Sequence, residues 1–269
     1  MNNLRRELAP ISSAGWAAID DEARRVLKLK LAGRKLVDFK GPLGPESAAV
    51  NTGRLAAIKG GPVAGVDAAR REVLPLVQLT TPFELSRAEL DAIERGAEDA
   101  DLDALVEAAT RIAHAEDTAV FHGYAAGGIR GMSDASPHAA LTIAQDYLTY
   151  PKNVAEALRL LRVAGVDGPY AIALGPRCYT GLMQATGDGG YPALQVVKRI
   201  VDGPIVWAPA VNGAIVLSTR GDDFELTVGR DLSIGYLSHT DAAVKLYFTE
   251  TMTFRVLTPE ASVALVYKK

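Results

Sequence analysis

Residues 41–80 read GPLGPESAAVNTGRLAAIKGGPVAGVDAARREVLPLVQLT, and how this stretch is satisfied decides the fold. It opens on Gly41-Pro42-Leu43-Gly44-Pro45, a strong chain break. Short β-type runs follow at 48–52, 54–58 and 74–80, separated by glycine-rich sequence. Such a segment buries little of its own surface. It reads as an extended arm or hairpin that needs a neighbour to pair with, which is a cue for oligomerisation. Composition alone also allows a disordered loop.

Outward from the arm, apolar spacing defines the rest. On its N-terminal side, Ser12 or Ser13 caps a helix over 13–32 whose Trp16, Ile19, Ala23, Val26, Leu27 and Leu31 make one stripe. Gly33 suits its stop, and 35–39 reads as a short strand. On the C-terminal side, Ser86 with Glu89 is a capping box opening a helix to about 95. Asp101 caps the longest helix, which ends near Phe121 before Gly123. Pro151 opens another helix. Beyond it, 170–174 is a buried-type strand, and 177–186 and 193–200 are short helices flanking a Gly-rich turn at 187–192. Strands follow at 205–208, 214–219, 224–228 and 262–267. Residues 244–256 alternate with period two and predict one long half-buried strand with room for a bulge. Helices and strands mix without a βαβ rhythm, so the class is α+β rather than a doubly wound sheet.

Composition bounds the function. The 269 residues are 48% hydrophobic and 23% charged, a globular balance, with 29 basic against 32 acidic side chains and a net charge of −3. That charge argues against a general nucleic-acid coat. The single cysteine, Cys178, excludes an intrachain disulfide and a thiolate-only zinc cluster and fits a reducing cytosol. No secretory signal is read at the N-terminus, and no apolar run approaches the roughly 20 residues of a membrane helix, so the expected location is the cytoplasm and no membrane partner is expected.

A scan for chemistry returns no catalytic constellation. The four histidines make no i, i+4 pair. His114, Glu116 and Asp117 are close in sequence but do not share a ligand face well, and read as solvated or interface positions. Gly127-Gly128-Ile129-Arg130-Gly131 lacks the dinucleotide-binding spacing, and neither a Walker A lysine nor a nucleophile elbow is present. Arg177 beside Cys178 could lower the thiol pKa, but a lone cysteine between Leu174 and Tyr179 reads as a packing residue.

An ordered set of short motifs spans the chain from about residue 4 to 267: Leu8-Ala9-Pro10, Trp16, Ile19-Asp20, Gly33-Arg34-Lys35-Leu36-Val37-Asp38-Phe39, Leu90-Asp91-Ala92-Ile93-Glu94-Arg95-Gly96, Glu116-Asp117, Gly168-Pro169-Tyr170, Gly190-Tyr191-Pro192, Asp231-Leu232-Ser233-Ile234-Gly235-Tyr236, Thr249-Glu250-Thr251 and Pro259-Glu260-Ala261. In that order the sequence resembles a bacterial encapsulin shell protein of the linocin/bacteriocin type. The resemblance implies the tailed-phage major capsid fold. Residues 1–43, 81–123 and 223–269 would form a peripheral domain with an N-terminal cargo-docking helix, 44–80 the extended arm, and 124–222 the axial domain. It implies a self-assembling icosahedral nanocompartment whose partners are further copies of itself and a cargo enzyme, ferritin-like, peroxidase or other, bearing a C-terminal targeting peptide. No enzymatic activity and no nucleic-acid partner are expected. The alternatives are a prophage major capsid protein packaging DNA, or the bacteriocin or protease activity once attached to the family.

By the same resemblance, the cargo peptide would contact Ile19, Ala23, Leu27, Arg34, Leu36, Asp38, Leu232 and Ile234, and Gly187, Asp188, Gly189, Gly190 and Tyr191 would line a five-fold pore. Asp188 would bias passage toward cations; a plain surface turn is the competing reading. Ala88 stands where some shells carry a flavin-stacking tryptophan, so no flavin and no other cofactor is expected. Gly44-Pro45-Glu46 lacks the aromatic often found at the start of the arm. No metal site is expected.

Overall fold

The alternating run near the C-terminus supplies the spine of the computed structural model, which describes residues 3–187 and 190–268. It forms one 14-residue strand, β11 (Ala243–Val256). Along one edge β11 pairs with β4 (Val77–Ser86) in unbroken antiparallel register from Ala243 opposite Ser86 to Met252 opposite Val77. Along its other edge run β10 (Ser233–His239) and β9 (Phe224–Val228), one after the other, with β1 (Asp38–Lys40) added in parallel to β9. The irregularity expected within 244–256 is not in β11 but in its partner, as a register shift between Tyr236 and Ser238 of β10.

Residues of one parity along β11, among them Val244, Leu246 and Phe248, pack beneath helices α1 (Ser13–Lys30), α2 (Arg87–Glu94) and α3 (Asp103–His122). The α1 stripe supplies Ile19, Ala23 and Val26 to this core, and α3 supplies Leu105, Ala109 and Ile112. Phe83 and Phe248 meet across the β4–β11 pair with ring centroids 5.3 Å apart. The expected helix over 13–32 stops at Lys30, with Ser12 Oγ accepting from Gly15 N at 3.1 Å. Gly33 is not a left-handed stop. It opens a 3-10 turn, Gly33–Lys35, where a Cβ would sit 3.1 Å from both Asp117 Oδ1 and Val120 Cγ1. The small residue therefore permits close approach to α3.

Two further local expectations change. Ser86 stands before α2 but makes no side-chain cap, and Glu89 accepts from the Asp101 amide instead. Asp101 accepts from Asp103 N in a turn leading into α3, whose N-cap position belongs to Leu102.

The arm region forms a two-stranded hairpin of its own, β2 (Ala49–Ile58) with β3 (Ala68–Pro75), joined to no other sheet among the described residues. The pairing shifts register between Asn51 and Leu55, around Gly53 with φ +74°. Leu55, Ile58, Val63 and Val73 are all exposed. The run expected at 74–80 splits, ending β3 and starting β4.

The second sheet has the order β5 (Leu141–Ile143), β12 (Ser262–Tyr267), β8 (Ala214–Ser218), β6 (Tyr170–Leu174), β7 (Ile205–Trp207). Both β6 and β8 are buried throughout, with α4 (Met132–Ala135), α5 (Tyr150–Val163), α6 (Pro176–Gln184) and α7 (Ala193–Ile200) around them. Residues 262–267, grouped by sequence with 223–256, hydrogen-bond into this second sheet between β5 and β8. Cys178 is buried, 2.6 Å from Tyr150 Oη and 3.0 Å from Tyr267 Oη. Burial pushes its thiol pKa up, and the charge of Arg177 does not offset that.

Because Phe248 is 1% exposed and central to the helix-covered core, Phe248→Ala is expected to destabilise the chain by about 3–5 kcal/mol. A fall in the thermal unfolding midpoint with retained secondary structure is the check.

Candidate functional site

The apolar stripe of α1 and the start of β10 face each other across a groove of about 580 Å³. Its floor is Phe248, Ile234 and Ala23, all nearly fully buried. Leu27 and Leu31 stand on the helix side, and Leu4 and Leu232 on the strand side. Polar groups rim it: Arg6 binds Asp20 at 2.7 Å, Arg34 binds Asp231 at 2.8 Å, and Lys28 stands beside Leu27. The segment that brings Leu4 there is held by Tyr236 N donating to Leu4 O at 2.8 Å, and by Arg6 stacked over Trp16 at 3.9 Å.

Of the eight positions expected at a docking groove, Ala23, Leu27, Arg34, Leu232 and Ile234 line this one. The other three point elsewhere. Ile19 is fully buried among the helices and first sheet, one turn before Ala23. Leu36 is buried in the core shared with the second sheet. Asp38 accepts from Asp222 N at 2.6 Å and borders a smaller cavity of about 180 Å³ with Ser218 and Asp223.

What holds the two walls apart is an ionic network that motif spacing missed. Arg34 Nε and Nη2 bind Glu116 of α3 at 2.7–3.0 Å, Nη2 also binds Glu250 of β11 at 2.5 Å, and Nη1 binds Asp231 at 2.8 Å. Asp231 Oδ1 accepts in turn from Leu232 N at 2.8 Å. The next α3 residue, Asp117, accepts from Ala32 N at 2.9 Å and Gly33 N at 2.8 Å, so it ties down the chain leaving α1. Glu116, Asp117 and Glu250 are 0–1% exposed. The sequence placed Glu116 and Asp117 at solvated or interface positions; they are buried because α3 turns both into the joint between α1 and β11. Among the described residues, no group of three or more His, Cys, Asp and Glu is arranged to hold a metal ion.

Three carboxylates share one guanidinium here, and the electrostatics follow. Burial pushes the Glu250 pKa well above the usual carboxylate range, and the nearby Glu116 adds to it. Burial likewise raises Asp117 to about 7, against the two backbone N–H groups that favour its charged form. Arg34 stays protonated, because its carboxylate partners outweigh its desolvation.

Of the expected pore residues, Asp188 and Gly189 lie outside the described residues. Gly187, Gly190 and Tyr191 form a tight turn between α6 and α7, with Gly190 N donating to Gly187 O at 3.1 Å and Gly187 N to Tyr191 O at 3.2 Å. Tyr191 is 57% exposed, with Arg199 over its ring at 5.2 Å. No helix among the described residues is long and apolar enough to cross a membrane.

Removing Arg34 would leave the buried Glu116 and Glu250 without the donor they share. Arg34→Met is therefore expected to lower stability by about 3–5 kcal/mol, read from chemical or thermal unfolding at neutral pH.

Comparison with known proteins agrees over nearly the whole chain. The family model described as "Encapsulating protein for peroxidase" (Linocin_M18) matches residues 1–253. The chain is 54% identical over 270 residues to the type 1 encapsulin shell protein of Rhodospirillum rubrum, covering 98% of this chain and 96% of that one. It is 49% identical over 265 residues to the type 1 encapsulin shell protein of Mycobacterium tuberculosis, covering 98% and 99%. Among solved structures, the virus-like particle from Pyrococcus furiosus superposes with a TM-score of 0.67 at 17% identity, covering 92% of this chain and 98% of that one. The structure titled Gordonia phage Cozz does so with a TM-score of 0.54 at 15% identity, covering 89% and 87%. These last two likenesses speak to the fold alone, which is the capsid-like α+β fold.

Proposed function

This chain belongs to the encapsulin shell-protein family, and on that premise we propose that it tiles a hollow icosahedral compartment in the cytoplasm and docks cargo enzymes in the groove between α1 and β10. It is a structural shell protein that builds a nanocompartment. The observation that carries the docking reading is the groove itself, an apolar trough of about 580 Å³ on the amphipathic α1 helix. An extended C-terminal peptide with alternating apolar side chains fits such a trough. Each side chain buried there gains about 1.5–3 kcal/mol before ordering costs. Many copies facing one lumen raise the effective concentration, so modest single-site affinity suffices for retention.

On this reading the first sheet with α1–α3 is the peripheral domain, the β2–β3 hairpin is the arm that pairs with a neighbouring copy, and the second sheet is the core of the axial domain. Gly187, Gly190 and Tyr191, in the turn between α6 and α7, line an axial opening. The cargo is an oxidative or iron-handling enzyme; the relatives' family description names a peroxidase. The chain itself carries no catalytic activity. A DNA-packaging prophage capsid is not favoured, since the net charge of −3 gives no general attraction for nucleic acid.

Two outcomes test this. Round particles are expected in electron micrographs of the purified chain, and Leu55→Asp with Ile58→Asp on the exposed hairpin is expected to lower particle yield while leaving the subunit folded. A stable monomer of the unaltered chain by light scattering would overturn assembly. For docking, Leu27→Asp on the half-exposed groove wall is expected to leave particles intact but to abolish co-purification of a co-expressed peroxidase or ferritin-like enzyme carrying its own C-terminal tail. Ile19→Asp is expected to unfold the subunit instead, since Ile19 is 0% exposed. Undiminished cargo in Leu27→Asp shells would refute the groove.

A further inference from the structure

The Arg34 network is charged in a way that its geometry does not balance. One guanidinium meets Glu116, Glu250 and Asp231, and the first two are fully buried. Arg34 Nη2 is shared between Glu116 Oε2 and Glu250 Oε1, which brings the two carboxyl groups together. Glu250 Oε2, also buried, has no hydrogen-bond partner. A buried carboxylate oxygen without a donor is costly, and two adjacent buried carboxylates do not both ionise readily. A single proton between Glu116 and Glu250 resolves both problems: it supplies the missing hydrogen bond and reduces three negative charges to two.

We propose that Glu116 and Glu250 hold one proton in common and act, through Arg34, as positioning residues that latch the strand-side wall of the groove. The linkage is short. Arg34 Nη1 reaches Asp231 Oδ1, and the same oxygen accepts from Leu232 N, so the wall residue is three contacts from the shared proton: Leu232 to Asp231, Asp231 to Arg34, and Arg34 to the carboxyl pair. With the proton in place, Arg34 divides its donors between the pair and Asp231, and Leu232 is fixed. Without it, the two carboxylates repel, their demand on Arg34 grows, and Asp231 loses its counter-charge. The surrounding charges set the pH window. Arg34 and Lys35 come from the 3-10 turn, Glu116 and Asp117 from α3, Asp231 from the break between β9 and β10, and Glu250 from β11. Asp117, pushed up to about 7, becomes charged beside Glu116 as pH rises through neutrality. That charge opposes a second negative charge nearby and so favours keeping the shared proton. Because the native pair holds a proton that the unfolded chain releases at ordinary carboxylate pH, the latch is fully set below that pH and weakens as pH rises from there, until the pair itself loses the proton. Its consequence for cargo rests on the docking reading: retention tightens in mild acid and slackens in base.

Hydrogen exchange on empty shells tests the latch without any cargo. The Leu232 amide is followed from pH 6 to pH 9, each rate divided by that of an unstructured chain at the same pH. Protection is expected to be greatest at pH 6 and to fall with rising pH, by up to about tenfold per pH unit while the closed latch still holds the proton, levelling off once that proton leaves. In Glu250→Gln, which carries a permanent neutral donor, the dependence on pH is expected to shrink to the part near neutrality that Asp117 contributes. Glu116→Gln is the equivalent variant from the other carboxyl and serves where Glu250→Gln fails to fold. A flat wild-type profile overturns the latch, as does a pH dependence that is undiminished in the folded variant. Whether a peptide docks at all is judged separately, by the Leu27→Asp shells.

Discussion

Arg34 sits where five parts of the chain meet: the turn after α1, α3, the break between β9 and β10, β11 and the groove wall. Taking one guanidinium and two carboxylates out of water is expensive by several kcal/mol per ion. It is tolerable here because the geometry is nearly complete, with the Arg34 donors engaged and Asp117 beside them satisfied by two backbone amides. An apolar replacement of the whole network would be no less stable in principle. What the ions supply is direction, since a guanidinium fork accepts its partners in one plane and at fixed distances. The helix side and strand side of the groove are consequently set by adjacent α3 residues, Asp117 and Glu116, and cannot drift independently.

The hairpin imposes the complementary constraint. β2 and β3 pair with each other and leave Leu55, Ile58 and Val73 in solvent. A two-stranded ribbon is marginal alone, and exposed strand edges invite pairing with another chain. A subunit that carries both an unsatisfied arm and a surface for its neighbour's arm makes head-to-tail contacts. Such contacts end only in a closed assembly or an open filament. Membership in a shell-forming family selects closure. On the proposed reading of the hairpin as the arm, the subunit's weakest feature in isolation is the one that drives assembly.

How much of this was legible in the sequence depended on whether the signal was periodic. The α1 stripe and the alternation of β11 were readable because burial on one face imposes spacing of three and four in a helix and of two in a strand. The arm was readable from its glycines and prolines. Strands β3, β5 and β10 were not, because each is short or largely exposed, so no alternation marks it. The capping box at Ser86 failed because Glu89 finds a better donor in a distant loop amide. In the groove, the family resemblance named eight positions, of which five line the same cavity, but the α1 stripe it drew on also contained Ile19, which faces inward. A helical stripe does not reveal which of its members sits at the core and which at the margin. Glu116 and Asp117 were hardest of all: two acids on a helix read as solvated, and only the path of the chain after α1 buries them.

The groove and the use made of the polar residues beside it belong to one design logic. A catalytic pocket must hold a few groups to within fractions of an ångström around a reacting atom. The polar residues gathered here instead hold backbone: Asp117 holds the exit of α1, and Asp231 holds Leu232. Their order is spent on the shape of an apolar trough. On the proposed docking reading, a trough of that kind binds one peptide weakly, and weak binding suits a shell, because cargo must find its site while subunits are still associating. Errors at single sites can then be corrected before closure, and after closure the number of facing sites, rather than the strength of any one, keeps the enzyme inside.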